Sequence, residues 1–541
     1  MLSEDILHYI FRQYLDAFPQ FWPKLVSVCQ RWRQIILTSP LGLNLRLHCT
    51  YRTPVFRALC HWPMLPMIIQ YGGAPNLDPA TTMDDDNIIA ALRQSGRVSS
   101  ISLTVTSSLR EKLSAIAVPF TELEDFVLFS QDNLPLNFAS SFHLGPRLRT
   151  LHMTRIAIPS FPQLLSPTQF LVDIQLHDIP ITGYFPPESF ANALSGTTQV
   201  QSLLLHFRSL PPRRNYLALP SQPGERVVLP ALTCLKYRGT SKYLDSFVAR
   251  IDAPRLGKIN ITFFHQPTID TSQLGRFIER VEMHTSLIQA DIETSADAIF
   301  ISFTDSSDCK PLRIQVSCKQ LDWQLSCMAQ ICDQISPFLF HVGDLGIDTV
   351  QPPDEQDDVD SGQWVDLLRS FKFGAGEDFW VDGELTADIL CALGPANEGN
   401  TAMLPSLRHV RVQKLIAMGG PSWNSVQSFI TSRSISGRPV EVYAPSYQCH
   451  ICFYSSGKQH ELKHHLRDKH GYQILCSYCG EFEYTPWQMS LFQKHLKSEH
   501  HQIVHNDALI SKPKLTFFQF FNLVNRHSSL CAPDVVSHSL T

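Results

Sequence analysis

The residues best equipped for chemistry are crowded near the C-terminus. Four of the 14 Cys fall within the 31 residues from Cys449 to Cys479. Nine of the 22 His fall between His450 and His505, where even spreading would give about two. Cys449, Cys452, His465 and His470 form C-x2-C-x12-H-x4-H. Two thiolates on a tight turn and two imidazoles on one helix face complete a tetrahedron around zinc, and this spacing lies within the known range. Cys476, Cys479, His495 and His500 repeat the set, with fifteen residues where the first has twelve. Two zinc ions per chain are therefore expected. His464 offers an alternative x11 and x5 spacing, and His501 is an alternative to His500.

Other chemistry is weakly supported. His460-Glu461-Leu462-Lys463-His464 matches H-E-x-x-H of zinc proteases, but it lies inside a finger-sized unit. That motif needs a third ligand and a cleft domain around it, and Cys449 and Cys452 would bind the ion more tightly. No phosphate-binding loop, dinucleotide fingerprint or G-x-S-x-G elbow is present, and no carboxylate pair stands out. The chain is therefore expected not to be an enzyme. The base-reading positions of the two fingers would be Lys458, Glu461 and His464, then Gln488, Leu491 and Lys494. Leu491 cannot donate a hydrogen bond to a base edge. Only eight Lys/Arg face six Asp/Glu from Pro445 to Lys514, so binding to nucleic acid is not favoured.

The rest of the chain must position these residues. At 541 residues there is room for about three or four domains. With 44% hydrophobic and 18% charged residues the composition is globular, and a net charge of −5 argues against a surface built to grip nucleic acid. The start, MLSEDILHYIF, lacks a basic signal region, and no run of 18 apolar residues occurs. These points set the expectation of an intracellular protein, in cytoplasm or nucleus, with no membrane partner. The other ten Cys are then reduced and mostly core-filling.

Residues 2–15 carry an apolar stripe at helical spacing, and Leu25, Val28, Cys29, Trp32 and Ile36 form a second. From about residue 95 a different unit recurs, apolar-x-x-apolar-x-apolar. It begins at Val98, Leu123, Leu148, Leu171, Val200, Leu232 and Leu256, with steps of 25, 25, 23, 29, 32 and 24 residues. Leucine-rich repeats have this opening and a period of about 20–29 residues, each unit giving one strand to a parallel sheet. Val342/Leu345/Ile347 and Leu407/Val410/Val412 look like later units, and helical returns are expected at Phe190–Leu194 and Leu274–Val281.

The expected fold class is thus α/β: a degenerate leucine-rich-repeat-like solenoid, a short N-terminal helical segment and a small C-terminal ββα zinc module. The boundaries are a helical segment at 1–48, a connecting segment at 49–94, the repeat body at 95–443, two fingers at 444–506 and a tail at 507–541. Pro352 to Asp360 is an acidic loop within the body, and Leu515 to Val524 is an apolar tail segment that docks on the body or binds a partner.

Residues 2–46 resemble the F-box. Leu2, Ile6, Leu7, Ile10 and Phe11 fit its first half, and Leu25, Val28, Cys29, Arg31, Trp32 and Arg33 fit its second. Ser3 stands where that family prefers Pro, which weakens the expected helix start. Ser39-Pro40 and Leu43-x-Leu45-x-Leu47 look like fungal members in which an F-box precedes leucine-rich-like repeats. The C-terminal segment is similar to Cys2His2 fingers, with Leu462 and Phe492 at the family's core position and Tyr454 filling in for Ser456, where Phe is usual. The resemblance implies that Leu2, Ile6, Leu7, Ile10, Phe11, Leu25, Val28 and Trp32 bind the Skp-type adaptor of a cullin–RING ubiquitin ligase. The repeats would then present an unknown target protein. The alternative is a Cys2His2 regulator that binds nucleic acid.

Overall fold

The computed structural model describes most of residues 2–443, apart from connecting segments of which 72–81, 211–225, 350–360, 394–403 and 413–420 are the longest. Beyond 443 it describes four short strands, at 447–448, 455–456, 474–475 and 483–484. The chain forms two compact units, Met1–Ile288 with Asp297–His341, and Gln289–Ala296 with Val342–Thr541.

The first unit opens with three helices: α1 (Glu4–Ala17), α2 (Trp22–Val28) and α3 (Gln30–Thr38). The Ser3 hydroxyl accepts from the Ile6 N–H at 3.4 Å, with Glu4 and Asp5 in the first turn. Ser3 is therefore a regular N-cap, and the helix start is not weakened by the missing Pro. The second apolar stripe does not form one helix. Cys29 is extended (φ −159°, ψ 166°), which separates α2 from α3. Phe11 meets Trp32 edge-on at 4.9 Å between ring centroids. Trp22 is buried and its indole N–H donates to the Arg46 carbonyl at 2.7 Å, fastening the helices to the first strand.

The expected α/β class is found: the unit contains a large, mostly parallel sheet. Its strands are β1 (Leu47–Cys49), β2 (Met67–Tyr71), β3 (Val98–Val105), β4 (Asp125–Ser130), β5 (Thr150–Thr154), β6 (Asp173–Ile179) and β7 (Ser202–Phe207). A small separate pair consists of β8 (Val227–Val228) and β10 (Ile251–Asp252). The main sheet continues through β9 (Cys234–Gly239), β11 (Lys258–Phe264), β14 (Leu312–Ser317) and β13 (Ala298–Asp305). Up to β11 each strand of the main sheet joins the one before it in the chain, in parallel, as successive crossover connections require.

Register explains why the spacing recurs. Ile101, Phe126, Leu151, Ile174, Leu203, Leu235, Ile259 and Leu312 pair in one row across the sheet. Leu103, Leu128, Met153, Leu176, Leu205, Tyr237, Ile261 and Ile314 make the next row, and both rows are buried. Helices at Pro187–Leu194 and Ser272–Arg280 supply the two expected returns. Asp245, on the helix Ser241–Val248, reaches the next return helix, where its carboxylate accepts from the N–H groups of Gln273 (2.7 Å) and Leu274 (3.0 Å).

Two features depart from the sequence reading. The sheet begins at Leu47, before the first expected unit at Val98. Met67 pairs with Val98 and Ile69 with Ile101, with a register shift between, so β2 lacks one residue of the motif spacing. The β13–β14 pair is antiparallel, which breaks the rhythm after β11.

The second unit has its own parallel set: β12 (Leu287–Ser295, chiefly here), β15 (Asp344–Thr349), β16 (Asp378–Asp382), β17 (His409–Val412) and β18 (Glu441–Tyr443). Its helices include Ser361–Ser370, Thr386–Ala392 and Pro421–Ile435. Val342, Leu345 and Ile347, and Leu407, Val410 and Val412, are buried as their spacing suggests. The acidic loop 352–360 and the tail 507–541 lie outside the described residues.

Candidate functional site

Helix α1 carries two apolar stripes. Leu7, Phe11 and Leu15 recur every fourth residue and are buried toward the neighbouring helices. Ile6, Ile10 and Tyr14 also recur every fourth residue, offset from the first stripe by one position, or about 100°, and Leu2 and Phe18 flank them just beyond the helix ends. Leu2, Ile6, Ile10, Tyr14 and Phe18 are exposed, at 52%, 48%, 44%, 38% and 46%. Tyr9 and Val28 add to the exposed apolar surface. A helix that is apolar on both sides has one side left for a partner.

The adaptor residues implied by the resemblance are thereby divided. Leu2, Ile6, Ile10 and Val28 are open to solvent, Leu7 and Phe11 are inside, and Leu25 and Trp32 are half-buried. Arg31 donates to the Leu2 carbonyl at 2.7 Å and Arg33 to the Val26 carbonyl at 3.2 Å, so the arginines beside Trp32 hold the helices together. Tyr14 belongs to the apolar stripe expected over residues 2–15, whereas Tyr9 and Phe18 were not singled out from sequence, although the four-residue spacing from Leu2 contains Phe18.

Near the C-terminus two short antiparallel pairs are described. Tyr447–Gln448 pairs with Ser455–Ser456, and Ile474–Leu475 pairs with Glu483–Tyr484. The connection inside the first contains Cys449 and Cys452, and that inside the second contains Cys476 and Cys479. Each Cys pair is thus bracketed by a hairpin, the arrangement a ββα zinc unit requires, and the donor set of two Cys and two His suits zinc. Cys449, Cys452, His465, His470, Cys476, Cys479, His495 and His500, with the alternatives His464 and His501, themselves lie outside the described residues.

A third feature occupies the sheet face turned away from the core. There the residues between the apolar positions form a polar chain. His152 Nε2 lies 2.7 Å from Asp173 Oδ2, Gln175 donates to the same oxygen at 2.7 Å, and His177 meets Gln175 Oε1 at 3.3 Å. The His177 and His206 rings stand edge to face at 5.4 Å. Burial, followed by His177 and Arg238, pushes His206 down to about 4, and burial likewise lowers His177. Burial thus disfavours the charged form of both rings, and His177 keeps its hydrogen bond to Gln175. Sequence reading missed this chain because local spacing does not show that His152, the Asp173–His177 strand and His206 lie on neighbouring strands.

No family model matches the chain, and no curated protein matches it. Among the described residues, no helix is long and apolar enough to cross a membrane.

Proposed function

We propose that this protein is a non-catalytic substrate receptor of a cullin–RING ubiquitin ligase. In this reading the N-terminal helices are an F-box that docks the Skp-type adaptor, the leucine-rich-repeat-like body presents a target protein, and the C-terminal segment is a pair of structural zinc fingers. The observation that carries it is the second stripe of α1. Ile6, Ile10 and Tyr14, with Leu2 and Phe18 at the helix ends, are exposed apolar residues beside a helix face that is already packed. The cost of exposing it disappears when a partner covers it.

The zinc ions would be held by Cys449, Cys452, His465 and His470, and by Cys476, Cys479, His495 and His500. Zinc supplies a cross-link that lets units too small for a core of their own fold. The test of the reading is affinity capture of purified Skp-type adaptor by the full chain. Wild type is expected to retain the adaptor, and Ile6→Glu with Ile10→Glu to lose it. Failure of the wild-type chain to retain the adaptor sinks the reading.

A further inference from the structure

On β9, β11 and β14 alternate side chains turn away from the core. Four of those outward residues are cations: Lys236, Arg238, Lys258 and Arg313. The remaining outward positions of these strands carry no Asp or Glu. Lys236 pairs with Asn260, and Asn260 with Arg313, so one row crosses three strands. Arg238 follows two residues along β9, and Lys258 precedes Asn260 on β11.

Among the described residues none of the four forms an ion pair. Two of them sit against rings instead. The Arg313 guanidinium is 4.0 Å from the Phe300 ring centroid, and that of Arg238 is 5.7 Å from Phe264. A guanidinium stacked on a ring keeps its N–H edge available to an oxyanion. Within β9, β11 and β14 this face therefore carries positive charge and no carboxylate, in a chain whose net charge is −5.

We propose that this basic strip is the docking surface for an extended acidic segment of a partner protein, whose carboxylates pair with Lys236, Arg238, Lys258 and Arg313. An extended chain presents every second side chain on one face, about 6.8 Å apart, and neighbouring strands lie about 4.8 Å apart, so its carboxylates can meet cations spaced along and across these strands. Nucleic acid fits less well. The rings on which bases would stack, Phe264 and Phe300, already carry the guanidinium groups of Arg238 and Arg313. This surface is separate from the α1 stripe, so adaptor docking and acidic-segment docking can fail independently.

The experiment is fluorescence anisotropy with the full chain. The probes are a labelled peptide alternating Glu and Ser, the same peptide with Gln for Glu, and a single-stranded oligouridine. The Glu peptide should bind, increasingly weakly as salt rises, and the Gln peptide should not. Lys236→Glu with Arg238→Glu should weaken binding at least about tenfold. Arg93→Glu with Arg276→Glu, at exposed positions off the sheet, makes the same charge change and should leave binding unaltered. Lys236→Gln with Arg238→Gln repeats the test should the Glu variant melt abnormally. Equal binding of the Glu and Gln peptides, an equal loss in the control variant, or tighter binding of oligouridine than of the Glu peptide would overturn the proposal.

Discussion

The double substitution Ile6→Ala and Ile10→Ala separates a docking surface from a core. Ile6 is 48% exposed and Ile10 44%. Burying a whole Ile side chain is worth about 1.5–3 kcal/mol, and roughly half of each is open, so the pair would contribute roughly 2 kcal/mol when an adaptor covers it. That corresponds to about a 30-fold rise in Kd. Folding should hardly change, because Ala improves helix propensity by a few tenths of a kcal/mol per site and offsets part of the lost intramolecular packing. Phe11→Ala is the contrast. Its ring is buried against Trp32, so truncation should cost about 3–5 kcal/mol of stability. Calorimetric titration of the full chain with purified adaptor gives the Kd, and a thermal melt gives the stability. An unchanged Kd in a double variant that melts like wild type would refute the reasoning. A melting loss as large as that of Phe11→Ala would refute it too, since the stripe would then be core.

Three further outcomes are expected. Metal analysis should find two zinc ions per chain, and Cys449→Ser with Cys452→Ser should remove one; a count that stays at two disproves the first finger. Burial pushes the Asp245 carboxyl up to about 6 against its two backbone hydrogen bonds. The unfolded chain therefore loses this proton first, and stability should fall as pH rises from about 4 to about 6. Asp245→Asn keeps an acceptor for the same two N–H groups and should flatten that slope in urea unfolding, whereas identical slopes would contradict the assignment. Gly183→Ala would bring a Cβ to 2.7 Å from the Ala157 backbone, so it should lower stability by about 1–3 kcal/mol, read as a shift in the urea midpoint.

How much of this was legible in the sequence differs by element. The strands from Val98 to Ile261 were legible because two alternating apolar residues and a lead-in apolar residue recur at each step, and these are the positions the sheet buries. β2 was not, because its register shift shortens the lead-in by one residue. β14 was not, because the antiparallel β13 interrupts the 25-residue rhythm. The outward face stayed hidden for a different reason. Packing does not constrain the residue between two buried neighbours, so nothing local signals that Lys236 and Arg313 share a row or that His152 meets Asp173. On α1 the sequence grouped Leu2, Ile6 and Ile10 with Leu7 and Phe11, and only the packing of α3 divides them into outer and inner stripes. The proposed zinc ligands rest on short local spacings alone, since they lie outside the described residues.

The receptor reading is tested most directly by mixing the full chain with purified Skp-type adaptor and measuring the mass of the product by size-exclusion chromatography with light scattering. One adaptor per chain is predicted, with Ile6→Glu and Ile10→Glu returning both proteins to their separate masses. Separate wild-type peaks at micromolar concentration would contradict the account.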